Sequence, residues 1–294
     1  MKDHAALAGI LIMGAVAVGT ALDAAIVRLL AGEIHPVMLT FTRTLFGLLA
    51  LVPFLVRRPE ILRTRARFSH VLRAALKLGS LMTLFVALQN APLATVTAIS
   101  FAAPFFLALG AWLFLGEVPG LSRLTGLILG FVGILVILAP AIGVAQGSAL
   151  LLAVASALMT ALIQLMLKVM GRADSALTLV TWNLIVCTVL ALVPATWFWT
   201  WPTAWQWAIL AVQGAMGTLC QLGVTRALQL ADASLVAPVD FLRLPMVALI
   251  GWVAFGQVPA SATYWGGAIV FIGILVLTAG ARGLRTSGAD AEPL

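Results

Sequence analysis

The sequence predicts an all-α polytopic membrane protein with ten transmembrane helices, and three observations support this fold class. Of the 294 residues, 63% are hydrophobic and only 9% are charged, whereas a soluble domain carries roughly a quarter charged residues. The apolar residues gather in long segments that are separated by short connections. The second part of the chain also repeats letters of the first part at a fixed spacing, which indicates two related halves.

The ten segments follow from length. A helix rises about 1.5 Å per residue, so roughly 20 apolar residues cross the hydrocarbon core of a bilayer. The runs are too long and too continuously apolar for the alternating pattern of a membrane β-barrel. We expect spans near 5–31, 36–56, 70–90, 93–115, 122–140, 148–170, 175–197, 204–229, 233–255 and 261–281, and a disordered tail over 285–294.

The internal repeat is clearest around residues 91–140, where an apolar helix, a short GxVP turn and a second apolar helix follow one another. The same letters return 140 positions later without a gap. We therefore assign 1–145 to the first half and 146–284 to the second. The matching residues are Trp112, Gly116, Val118, Pro119, Gly126, Phe131 and Gly133 in the first copy and Trp252, Gly256, Val258, Pro259, Gly266, Phe271 and Gly273 in the second.

The orientation follows from the basic residues. With the N terminus inside, all of the 17 Lys and Arg residues except Arg28, Arg43 and Arg243 fall on or near the inner side. The positive-inside rule then places both termini in the cytoplasm of a bacterium, with the chain in the inner (plasma) membrane. This topology accounts for the net charge of +7, so no nucleic-acid partner is expected.

Five helices in each half is an odd number, so the second half enters the membrane from the opposite side. Inverted repeats of this kind are typical of secondary transporters, which open a central site to one side at a time. The chain lacks the GxxxxGK[ST] loop of a nucleotide-driven pump and the HExxH, GxGD and GxSxG motifs of membrane-embedded enzymes. We expect a carrier with no cofactor and no metal, and an enzyme is the alternative from another class.

The paired turns GEVP (116–119) and GQVP (256–259), on two five-helix halves, resemble the drug/metabolite transporter superfamily and its EamA-type members. The resemblance implies that helices 1–4 and 6–9 ring a central cavity, with helices 5 and 10 at the periphery. Within that family the chain resembles the YddG-type exporters, which implies alternating-access export of small organic solutes, amino acids including aromatic ones. Another metabolite or a drug, exported with proton coupling, is the alternative. Gln257 replaces the acidic Glu117 of the first copy, so any role of that acid would survive only in the first half.

Two pairs of charges lie within the predicted spans, where each charge costs at least about 2.5–3.5 kcal/mol to insert. Asp23 and Arg43 are at matched depth, so they form either a structural ion pair or a cavity pair for a substrate ammonium and carboxylate. If the two residues form a cavity pair, Asp23 can also act as a protonation switch. Asp240 and Arg243 are three residues apart on one helix face, so we expect an internal salt bridge or a pathway in which Arg243 binds substrate.

Prolines are expected to break helices 4 and 9 near the bilayer middle, because proline removes a backbone donor and leaves carbonyls that can meet a cavity. Polar side chains on several spans predict a hydrated path, although each one alone can also bond helix to helix. Phe101, Phe241 and Trp182 would add an apolar sub-pocket that suits an amphipathic organic solute. The other residues of the predicted site are Lys77, Ser80, Thr97, Ser100, Thr160, Gln164, Asn183 and Gln221, with helix breaks at Pro104, Pro238 and Pro245, and Gln213 and Gly217 lie on the same stripe as Gln221.

Small-residue faces occur on helices 5 and 10, where glycines permit close backbone approach. We expect each face to pack against its own half, with a dimer contact as the alternative, so the chain is predicted to be a monomer or a weak homodimer. The residues are Gly126, Gly130 and Gly133 on helix 5 and Gly266, Gly267 and Gly273 on helix 10.

Overall fold

The computed structural model describes residues 2–62, 64, 67–116, 120–141, 147–170, 175–230 and 239–289. Within these ranges the chain forms α-helices and two short 3₁₀ turns, with no strand, so the predicted all-helical class is confirmed. The helices are α1 (Lys2–Leu29), α2 (Pro36–Arg57), α3 (Arg67–Asn90), α4 (Leu93–Ser100), α5 (Ala103–Leu115), α6 (Leu121–Leu138), α7 (Gly147–Met170), α8 (Ala176–Trp197), α9 (Ala204–Leu230), α10 (Arg243–Phe255) and α11 (Ser261–Ala289).

Among the described residues, seven helical stretches are long and apolar enough to cross a bilayer, with α4 and α5 counted together as Leu93–Phe114. Shorter apolar helices lie within α6, α10 and α11. This architecture is that of a polytopic membrane protein. The last helix continues to Ala289, beyond the predicted apolar segment, because backbone hydrogen bonds extend a helix readily once it has formed. Residues 290–294 lie outside the described ranges.

Local sequence explains several helix ends. Ser175 precedes α8, and its Oγ accepts a hydrogen bond from the Thr178 backbone N–H at 3.1 Å, as an N-terminal cap does. Helices α5 and α10 both end at a glycine in the left-handed conformation, Gly116 with φ +68° and Gly256 with φ +62°. Glycine adopts this conformation without steric cost. The two turns found by the sequence repeat therefore begin in the same way, and residues 117–119 lie outside the described ranges.

Helices α1–α5 and α7–α10 close into a ring. In order around it, α1 packs against α9, α9 against α2, α2 against α8, α8 against α3, α3 against α7, α7 against α4 and α5, α4 against α10, and α10 against α1. Neighbours in this ring come from opposite sides of residue 145. Helices α6 and α11 pack mainly against each other outside the ring. This packing matches the ring and the two peripheral helices that the family resemblance implied.

Glycines form the contact between α6 and α11. A Cβ added to Gly126 would lie 2.8 Å from the backbone nitrogen of Leu277, and one added to Gly133 would lie 2.8 Å from the carbonyl oxygen of Gly266. The expectation that each glycine face packs within its own half is therefore wrong for most of these residues. Only Gly130, which lies against Phe105, and Gly267, which lies against Leu244, contact a side chain of their own half first. With glycine on both surfaces, the two backbones approach directly, and this close contact joins the two halves.

The ring helices are interrupted at two corresponding positions. A turn at Phe101 and Ala102 separates α4 from α5, and a turn at residues 241–242 precedes α10. Pro104 and Pro245 both lie in the first turn after the interruption, where a helix has no use for the missing N–H. Pro238 lies outside the described residues.

Candidate functional site

An ion pair joins α1 to α2 inside the ring. The Arg43 guanidinium donates from Nη2 to Asp23 Oδ2 at 3.2 Å and from Nε to Oδ1 at 3.4 Å. The two side chains are only 18% and 13% exposed. Two parallel N–H···O bonds are the arrangement in which a guanidinium and a carboxylate fit best. The matched depth of these charges in the sequence thus corresponds to direct contact.

Lys77 adds a second cation from α3. It is partly buried, and its ammonium interacts electrostatically with Arg43, Arg73 and Asp23. Among the described residues it forms no hydrogen bond and no ion pair within 4.0 Å. The charged cluster, which we define as Asp23, Arg43 and Lys77, therefore contains two cations, and its one carboxylate is already bound by Arg43.

Helix α9 forms one wall of the charged cluster. A Cβ on Gly217 would lie 2.7 Å from Arg43 Nη2, so the guanidinium rests directly on the α9 backbone. One turn earlier, Gln213 is fully buried, and neither atom of its amide group has a hydrogen-bond partner in the described part of the chain. Buried amides are almost always satisfied by protein, water or ligand. One turn later, Gln221 is partly buried.

An aromatic cluster forms where the two helix interruptions meet. The rings of Phe101 and Phe241 lie 4.5 Å apart between centroids, and Phe241 lies 4.4 Å from Phe271. Arg243 Cζ lies 4.5 Å from the centre of the Phe101 ring, a cation–π geometry. We call Phe101, Phe241, Phe271 and Arg243 the aromatic cluster.

The expected salt bridge between Asp240 and Arg243 is wrong. No ion pair within 4.0 Å joins these two residues, both of which the structure describes. The turn at 241–242 falls between them, so they do not share the continuous helix that an i, i+3 pair requires. The Arg243 guanidinium instead packs over the Phe101 ring.

Several of the predicted polar residues have structural partners. Ser80 Oγ lies 3.0 Å from Thr160 Oγ1 and 3.1 Å from Ser156 Oγ, so these hydroxyls join α3 to α7. Ser100 donates to the carbonyl of Val96 in its own helix at 3.0 Å. The contacts of Ser80 are the helix-to-helix bonds of the alternative interpretation, whereas the bond of Ser100 lies within α4.

The other predicted polar residues differ in their surroundings. Thr97 is buried, Asn183 is buried with an unpaired Nδ2 among the described residues, and Gln164 is exposed. In the described ranges, no three His, Cys, Asp or Glu side chains gather as metal ligands.

Trp182 does not join the two phenylalanines. Its Nε1 donates to the Leu62 carbonyl at 3.2 Å, and its ring stacks on His70 at 5.5 Å. The indole N–H of a tryptophan usually donates to an acceptor when the ring is packed against other side chains. Here the acceptor belongs to the segment between α2 and α3. The predicted three-residue sub-pocket therefore reduces to Phe101 and Phe241.

The sequence reasoning missed the role of Gln257. Its Oε1 accepts a hydrogen bond from the Leu93 N–H at 3.0 Å, across the two halves. The first N–H groups of a helix have no partner within that helix, and Pro92 before α4 supplies no side-chain cap. An amide at position 257 can serve as this acceptor as well as a carboxylate would. Glu117, its counterpart, lies outside the described residues.

Comparison with known proteins gives a consistent result. The model of the EamA-like transporter family matches the chain twice, at residues 7–139 and 147–279. A riboflavin transporter of Brucella anthropi is 33% identical over 82% of this chain and 86% of its own length. An S-adenosylmethionine uptake transporter of Rickettsia bellii is 28% identical over 83% of this chain and 84% of its own.

A pseudopaline exporter of Pseudomonas aeruginosa is 25% identical over 88% of this chain and 92% of its own. One solved structure, described only as a crystal structure of a protein, covers 97% of this chain and 99% of its own with a TM-score of 0.63 at 20% identity, and so has the same fold. The family and these relatives are transporters rather than enzymes. The chain belongs to the EamA-like transporter family of the drug/metabolite transporter superfamily.

Proposed function

We propose that the protein carries a small amphipathic organic metabolite across the bacterial inner membrane by alternating access. The observation that carries this proposal is the combination of a charged cluster and an aromatic cluster on helices of one ring. Charged groups within a membrane protein are costly and generally mark a transport path. A solute with both a ring and a polar or ionic group would use both clusters.

Riboflavin is the first solute to test. Relatives from Brucella anthropi and Rhizobium johnstonii, each 33% identical over at least three quarters of this chain, are riboflavin transporters. The planar flavin ring would stack on Phe101 or Phe241, and its polar chain would bond to groups such as Gln213. S-adenosylmethionine, named for the Rickettsia relatives, combines an adenine ring with ionic groups and is tested beside it.

An amino acid is the second candidate, and a specific observation favours it. Asp23 and Arg43 present a carboxylate and a guanidinium side by side. These groups are complementary to the ammonium and carboxylate of a zwitterion, and the aromatic cluster would favour an aromatic side chain. Direction is a separate question, because the relatives include both an uptake transporter and an exporter.

The proposed mechanism also requires a topology. We propose that 1–145 and 146–284 are inverted five-helix repeats with both termini in the cytoplasm. The alternation of the ring helices supports this, because rocking one half against the other would then open the path on either side. Labelling of single cysteines at the two termini in intact and permeabilised cells tests it, and labelling from outside would refute it.

Counterflow in proteoliposomes tests the function. Vesicles loaded with unlabelled riboflavin, S-adenosylmethionine or phenylalanine are diluted into the same labelled solute, with empty vesicles as the control. Saturable uptake of the intact solute without an imposed gradient is the expected result. A chemically altered product would favour an enzyme, and no uptake of any of the three solutes by folded protein would refute these substrate candidates.

A further inference from the structure

We propose that the transported solute carries an anionic group, a carboxylate or a phosphate, and that Lys77 together with Arg43 binds it. This inference rests on the proposed transport function and narrows its solute: S-adenosylmethionine and amino acids carry a carboxylate, whereas riboflavin carries no anionic group and should be transported less well than its phosphate. The charged cluster lies on α1, α2 and α3, and α9 closes it.

The charge balance of the cluster is the first argument. Asp23 is the only carboxylate that acts on Lys77 among the described residues, and Arg43 is a second cation beside it. Asp23 already accepts two hydrogen bonds from Arg43. An ammonium in a membrane-embedded interior without a counter-ion is costly. A solute anion would supply the missing negative charge.

The free hydrogen-bond donors are the second argument. Lys77 is partly buried and forms no hydrogen bond with another residue in the described part of the chain. Arg43 uses Nε and Nη2 on Asp23, which leaves Nη1 for another acceptor. An oxyanion accepts several such bonds at once, and bonds to charged donors are the strong ones.

Gln213 is the third argument. Its amide is completely buried on α9, one turn from the glycine on which the Arg43 guanidinium rests. Neither its nitrogen nor its oxygen has a partner among the described residues. The nitrogen offers two further donors. A buried amide without a partner among the described residues, one turn from the glycine that contacts Arg43, is a feature that a ligand would explain.

Two matched pairs of probes test the inference by counterflow. Riboflavin and riboflavin 5′-phosphate differ only in a phosphate, and phenylalanine and phenylalaninamide differ in the carboxylate. The proteins compared are the wild type, Lys77→Gln, Lys77→Arg and Arg58→Gln. Arg58 is exposed at the end of α2, so its substitution removes the same charge outside the cluster.

We expect the wild type to prefer the anionic member of a pair. Lys77→Gln should raise the half-saturation concentration for that member at least about tenfold, because one bond to a charged group is lost. It should not weaken transport of the member that lacks the anionic group. Lys77→Arg and Arg58→Gln should stay within about threefold of the wild type. Equal transport of both members, or an unchanged preference in Lys77→Gln, would overturn the inference while the transport function stands.

Thermal stability of the solute-free protein gives a second readout that needs no substrate. If Lys77 lacks a counter-charge, Lys77→Gln should raise the Tm in detergent, and Arg58→Gln should leave it unchanged. A lower Tm for Lys77→Gln would show a structural partner and overturn the inference. If no probe is transported while Lys77→Gln still raises the Tm, the substrate candidates of the proposed function fail and the uncompensated cation is supported.

Discussion

A single methyl group at Gly217 tests the geometry of the charged cluster. In Gly217→Ala the new Cβ would lie 2.7 Å from Arg43 Nη2 and 2.8 Å from Cζ. Ordinary contacts of a Cβ begin near 3.4 Å, so the guanidinium must withdraw by about 0.7 Å. The bonds to Asp23 are already 3.2 and 3.4 Å long. A displacement of this size directed away from Asp23 would lengthen the two distances to about 3.9 and 4.1 Å, beyond the range of a hydrogen bond.

The expected loss of stability in Gly217→Ala comes from the broken ion pair. The steric clash itself costs little, because the end of an arginine side chain moves easily. Breaking a buried pair costs about 3–5 kcal/mol, and the partial exposure of this pair reduces the loss to about 2 kcal/mol. Gly14 is the matched control, because a Cβ there would have nothing within 4 Å. Gly14→Ala should gain up to about 1 kcal/mol of helix propensity.

The assay is thermal unfolding in detergent, followed by the fluorescence of the nine tryptophans, together with counterflow. Both variants gain the same helix propensity, so the Tm of Gly217→Ala should lie roughly 4–8 °C below that of Gly14→Ala, at about 2–4 °C per kcal/mol. Transport should fall at least about tenfold in Gly217→Ala alone. A Tm difference under about 2 °C with equal transport would refute the contact between Arg43 and α9.

Three further predictions concern the other contacts. Gln257→Ala should lower the stability by about 1 kcal/mol, because the Leu93 N–H loses its acceptor. Gln257→Glu should retain the wild-type Tm, and equal Tm values for these two variants would argue against the hydrogen bond to Leu93. Phe241→Ala should weaken binding of an aromatic solute about tenfold. Phe114→Ala, the control, removes a side chain that is 70% exposed and should not change the affinity, and solute titration compares the two variants. Ser80→Ala should cost about 0.6 kcal/mol of stability and leave the transport rate unchanged, and a large loss of rate in counterflow would instead place its hydroxyl on the path.

The sequence predicted the features that depend on the free-energy cost of single residues within their own segment. A charge within an apolar span needs a partner, and this rule alone identified Asp23 and Arg43, which do meet. The apolar lengths similarly predicted the helices, and the prolines predicted the two interruptions before α5 and α10. These properties can be read from neighbouring residues, so no long-range information is needed.

The remaining contacts depend on how distant segments pack. One of the two expectations for Arg243 was a salt bridge with Asp240, but the turn between them lets its guanidinium pack on Phe101 of another segment. The Trp182 indole donates a hydrogen bond to the Leu62 carbonyl, and the Gln257 side chain accepts one from the Leu93 N–H. Spacing along the sequence contains no information on these partners, because each is chosen by the approach of two separate helices.

Equilibrium binding is the most direct test that the charged cluster binds the solute. We would titrate the best solute from the counterflow panel into the wild type, Asp23→Asn/Arg43→Gln and Arg58→Gln. The double variant removes both charges together, so neither partner is left unpaired. The account predicts that the double variant binds at least about tenfold more weakly, while Arg58→Gln binds like the wild type. Wild-type affinity in a folded double variant would contradict the account and place the binding site elsewhere.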